Sequence, residues 1–82
     1  MVNMEKVKEL VREALEGKKC SVCYIQDAED ENVVRIIANK NDVEMFSATF
    51  NALHQSTIGI CSKSDEAFDL YCRVSTMLDN FY

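Results

Sequence analysis

Proline is absent from this chain, and glycine occurs only at positions 17 and 59. Across 82 residues that leaves almost no material for flexible linkers or glycine-rich phosphate loops. The reading is one small domain, residues 1–82, with no internal repeat, low-complexity stretch or boundary. At 48% hydrophobic and 28% charged, the chain is too apolar for a disordered tail. A core of this size is marginal but workable, because domains of about 60 residues already fold alone.

Met4, Val7, Leu10, Val11, Ala14 and Leu15 recur at helical spacing and predict an amphipathic helix over 3–16. Asn3 stands at its cap and Gly17 at its stop. Glu5, Glu9, Glu13 and Glu16 fall opposite the apolar stripe, which reads as a solvated helix face. Residues 19–26 and 33–38 are rich in β-formers and predict two strands. Between them, Asp27-Ala28-Glu29-Asp30-Glu31-Asn32 forms an acidic hairpin loop. Val43, Phe46, Phe50 and Leu53 argue for a helix over 42–55, with Asn41 and Glu44 resembling a capping box. The alternative is a third strand, with Val43, Met45, Ser47 and Thr49 facing one way. Ser56 to Cys61 is a loop or a short strand. Ser64-Asp65-Glu66 opens a last helix over 65–80, with Ala67, Leu70, Tyr71, Val74, Met77, Leu78 and Phe81 inward. The expected fold is α+β: a small antiparallel sheet of two or three strands packed by three helices, in the order α-β-β-(β)-α-α.

Charge is placed unevenly. Nine Lys and Arg stand against fourteen Asp and Glu, a net charge of −5. Residues 1–19 carry five bases and four acids, whereas 20–82 carry four bases and ten acids. So acidic a chain is a poor ligand for nucleic acid, whose phosphates require a basic footprint. No apolar run reaches signal-peptide or membrane-spanning length, and the expected setting is cytoplasmic.

Little in the sequence speaks for catalysis. Cys20-x-x-Cys23 lacks the second pair a zinc half-site needs, since Cys61 and Cys72 lie far apart in sequence. On a strand, Cys20 and Cys23 point to opposite faces, so structural free thiols are the preferred reading. His54, the single histidine, is placed at the rim of the middle helix. The chain is read as a non-enzyme with neither cofactor nor metal. Binding is what remains, because separated carboxylates on rigid elements imitate the phosphates of a nucleic-acid strand. The oligomeric state stays open, with a monomer the simpler reading.

The layout resembles the small acidic anti-CRISPR proteins of phages and prophages, specifically a type II group that inhibits Cas9. The likeness runs through Val11-Arg12-Glu13, Lys19-Cys20-Ser21-Val22, Arg35-Ile36-Ile37, Val43-Glu44-x-Phe46-x-x-x-Phe50 and Ser64-Asp65-Glu66-x-Phe68. The resemblance implies an inhibitor that occupies the basic PAM-reading cleft of a Cas effector in an infected or lysogenic bacterial host. Arginines read the PAM, so carboxylates are sensible surrogates for DNA there. Carried over, the partner-binding residues are Asp27, Glu29, Asp30 and Glu31, then Asn39, Asp42 and Glu44, then Asp65, Glu66 and Asp69. Two departures stand out: the family's third strand is not evident, and Ile58 to Cys61 lengthens the connection before the last helix. The competing reading is a small interaction or oligomerisation module in which Ile58, Ile60 and Phe68 form an apolar contact.

Overall fold

A computed structural model describes residues 1–82 as α1 (Met4–Ala14), β1 (Ser21–Gln26), β2 (Val33–Lys40), β3 (Val43–Asn51), β4 (Ser56–Cys61) and α2 (Asp65–Phe81). The Asn3 side chain accepts the Lys6 backbone N–H at 3.1 Å and caps α1, and Ser64 does the same for α2 through Ala67 at 3.0 Å. Glu5 near the start of α1 and Arg12 near its end both suit the helix dipole. Gly17 follows with φ +77°, a left-handed turn that glycine adopts without strain.

The strands form one antiparallel meander in the order β1-β2-β3-β4. Both helices lie on one face, where Val34, Ile36, Ala38, Phe46, Ala48 and Phe50 meet Val7, Leu10, Val11, Ala67, Leu70, Val74 and Leu78. The fold class is α+β, but with four strands and two helices. The expected middle helix over 42–55 is β3 and its turns.

Two local features decide that correction. Asn41 and Asp42 both have positive φ, 53° and 63°, and form the two-residue turn between Lys40 and Val43. Tight hairpins need that geometry, and Asn and Asp tolerate it better than most residues. Asn41 is therefore a turn residue and no helix cap. Phe46 and Phe50, four apart, satisfy a strand period of two as well as a helical one. Ala48 lies between them on the same buried face, whereas Val43 and Leu53, the other members of the helical pattern, are exposed. The ladder is irregular once, at Ala38/Asn39, where Met45 has no Cα partner.

β3 turns into β4 through Asn51, whose side chain accepts the backbone N–H of Leu53 at 2.9 Å and of His54 at 3.3 Å. β4 then takes the edge beside β3. Its Gly59 is required by space: a Cβ there would stand 2.6 Å from Ser47 O, 2.8 Å from Ala48 Cα and 2.9 Å from Tyr71 Cε1. α2 crosses closely over β3 and β4, while α1 packs beside α2 with no comparably close backbone approach to any strand.

The last turn also departs from expectation. Phe81 points outward, 63% exposed. Tyr82 packs instead, its ring edge-on to Phe50 at 5.0 Å and its hydroxyl accepting the Asn3 backbone N–H at 2.6 Å.

Gly59→Ala is expected to destabilise the fold by about 2 kcal/mol, because backbone on two strands must move to admit the methyl group. Chemical denaturation of the two proteins measures it. Asp42→Gly is expected to stabilise by roughly 0.5 kcal/mol, since glycine suits the left-handed turn. A helix beginning at residue 42 would gain nothing from that change.

Candidate functional site

The carboxylates singled out in the sequence lie at two ends of the sheet. The Asp27–Glu31 loop joins β1 to β2 at one end; the Asn39–Glu44 turn and the start of α2 share the other. The eight residues of β2 separate the ends by roughly 25 Å at the usual strand rise.

The first loop is ordered by its own acids. Asp27 Oδ1 accepts the backbone N–H of Glu29 at 2.7 Å and of Asp30 at 3.1 Å. Asp30 Oδ1 accepts that of Asn32 at 2.9 Å. The Glu31 carbonyl takes the Val2 N–H at 2.7 Å and the Gln26 side-chain amide at 3.2 Å, tying the loop to the N-terminal segment. Glu29 and Glu31 project freely, and no basic side chain forms an ion pair with any acid of this loop.

The other end is electrically mixed. Lys40 Nζ meets Glu66 at 2.8 Å, which joins the β2–β3 turn to α2. That hydrogen bond raises the Lys40 ammonium above its usual range. Arg73 holds Asp69 at 2.7 Å one helical turn on. The bond lowers the Asp69 carboxyl below its usual range, with a smaller contribution from Lys18. Asn39 is half-buried in β2 opposite Glu44, and Asp42 occupies the turn. Of the acids at this end, Glu66 and Asp69 are thus already engaged.

The other residues considered for chemistry stand apart. Cys20, one residue before β1, packs against the core, and Cys23 on β1 is exposed. Cys23 is exposed, so it is no buried structural thiol. Burial pushes the Cys20 thiol upward. His54 sits exposed in the β3–β4 turn, since the middle helix that was to carry it is a strand. Ile58 and Ile60 lie on the outer face of the sheet, whereas Phe68 belongs to the helix layer on the other face, so the three form no single patch. Asp79, near the end of α2, accepts the Thr57 hydroxyl at 2.8 Å.

The two sheet edges differ in a way the sequence did not disclose. Ser62 donates its backbone N–H to Met45 at 2.8 Å, so in the β3–β4 register the groups of Thr57, Gly59 and Cys61 point off the edge. Tyr71 covers part of that edge, donating its hydroxyl to the Thr57 carbonyl at 3.4 Å. Burial raises the Tyr71 hydroxyl, Asp79 adds to this, and the Gly59 backbone N–H opposes it. On the β1 side, Asp27 donates to Val33 at 3.0 Å, so the groups of Val22, Tyr24 and Gln26 point outward. None of the remaining backbone hydrogen bonds reaches them. Beside this edge, α1 and β1 enclose an open groove of ≈ 710 Å³ floored by Val11, Leu15, Val22 and Tyr24. Lys8 Nζ lies 5.7 Å from the Tyr24 ring centroid at its rim.

No protein-family model, curated protein or solved structure matches this chain. No helix is long and apolar enough to cross a membrane.

Arg73→Ala is expected to raise the Asp69 carboxyl back toward the ordinary aspartate range. Carboxyl-carbon chemical shifts followed through an acid titration report it directly, and an unmoved midpoint would show that the ion pair is not what holds Asp69 ionised.

Proposed function

We propose that this chain is an inhibitory binding protein that sets acidic side chains into the basic DNA-reading cleft of a Cas9-like effector and blocks target DNA. The observation that carries the reading is the Asp27–Glu31 loop. Its backbone is fixed by Asp27 and Asp30, leaving Glu29 and Glu31 free and unpaired. A charged surface that is already ordered loses little entropy on docking, and long-range attraction accelerates its approach to a basic partner. The opposite end is the weaker contributor, because Lys40 and Arg73 neutralise Glu66 and Asp69.

The sequence resemblance to type II anti-CRISPR proteins supports the choice of partner. The order of elements agrees for the first helix and the strands that follow. The expected order α-β-β-(β)-α-α fails afterwards, since β4 stands where it has a helix. Residues Val43–Asn51 form a third strand of this chain, β3.

A second reading has its own observation. The outer face of the sheet is uncovered, and Ile25, Ile58 and Ile60 on it are 45%, 75% and 80% exposed. An interaction module binding through that face would use the acids for solubility alone.

A mobility-shift assay with guide-loaded Cas9 and a PAM-bearing duplex separates the readings. The wild-type chain is expected to suppress the shifted complex, less effectively as salt rises. Glu29→Lys with Glu31→Lys is expected to weaken inhibition about tenfold or more. Reversal at Asp65, Glu66 and Asp69 should weaken it less. Unchanged inhibition by the loop variant defeats the acidic-mimic mechanism.

A further inference from the structure

Edge strands expose unpaired backbone groups, and proteins guard them with charge, proline, a bulge or a covering element. β4 has Tyr71 over it. β1, Ser-Val-Cys-Tyr-Ile-Gln, has no charge, proline or bulge, and its outward groups at Val22, Tyr24 and Gln26 have no partner. The groove beside it leaves room on the helix side for further side chains.

Charge selects the occupant. Lys18 and Lys19 precede β1, and Asp27, Glu29, Asp30 and Glu31 follow it. A strand that is basic at one end and acidic at the other complements an antiparallel copy of itself and repels a parallel one. We infer that two copies of this chain pair antiparallel through β1, joining their four-stranded sheets into one. Centred on Tyr24, the pairing sets Val22 against Gln26 of the second copy, and all three free residues exchange backbone bonds. The same register carries Lys19 toward Glu29 of the second copy and Lys18 toward Asp30. Tyr24 and Val22 of each copy enter the space beside α1, while Cys23 and Ile25 of opposite copies meet on the outer face. The interface is two-fold and closed, so it stops at a dimer. Glu9, Glu13 and Glu16 interleave with Lys8 and Arg12 along the helix wall, and the two helices face each other as mixed-charge surfaces.

Light scattering on the full chain at about 100 µM and low salt, where a micromolar pairing is nearly saturated, tests this. The wild type is expected at twice its 9.4 kDa mass, shifting toward monomer in high salt. Amide exchange at Val22, Tyr24 and Gln26 should slow as concentration rises, with Cys23 and Ile25 unchanged. Two variants, K19E and E29K, reverse one partner each of the Lys19–Glu29 contact, keep the Asp27 and Asp30 turn bonds, and should each shift toward monomer. Mixed in equal amounts they are complementary at both ends, and a heterodimer should return. A monomeric wild type, a dimer indifferent to both reversals, or failure of the folded variants to pair on mixing would overturn the inference. Self-pairing uses the same loop acids as the proposed cleft contact, but the readouts are independent. Dimerisation is measured without an effector, and K19E retains every loop carboxylate for the inhibition assay.

Discussion

The close crossing of α2 over β3 and β4 sets the form of the rest. It depends on small groups in register, Gly59 opposite Ala48 in the sheet, which leave room for the Tyr71 ring of the helix. With no Cβ at Gly59, the Tyr71 ring settles directly onto the strand, and its hydroxyl reaches round to the Thr57 carbonyl. One helix is thereby drawn down over half of the sheet. α1, packed against the flank of α2, covers the other half less closely, and the groove along β1 is the space left over. The open edge and the guarded edge thus have a common origin.

Much of this was readable in the chain. The stripe of Val7, Leu10, Val11 and Ala14 could only be one helical face, and Ser64 with Asp65 and Glu66 marked the start of α2. β1 and β2 were clear from their β-branched runs. β3 was ambiguous because Phe46 and Phe50 fit both periods, and the decision lay in the left-handed φ of Asn41 and Asp42. Residues of that type also cap helices, so composition there cannot separate turn from cap. The acidic loop was legible as a run of carboxylates. Its internal order, through Asp27 and Asp30, follows from the same short side chains. The Lys40–Glu66 pair was not legible, since it spans positions brought together only by the meander. Neither was the direction of the edge groups, which depends on which strand pairs exchange hydrogen bonds.

Net charge therefore describes this molecule less well than charge placement. At one end Lys40 and Arg73 pair with Glu66 and Asp69, while Glu29 and Glu31 at the other end meet no base. A modest overall imbalance becomes a concentrated one at a single pole. An attractive field from that pole orients the molecule before contact, whichever basic surface it meets.

Tyr82 carries one more implication. Its hydroxyl takes the backbone N–H of Asn3, and its ring completes the edge of Phe50. α1 finds its close helical neighbour only in α2. The helix that precedes the meander in sequence thus takes its close helical contact from the one that follows it. The contact that seals this side of the fold therefore joins the segment before the first strand to the segment after the last, and loss of either partner loosens both.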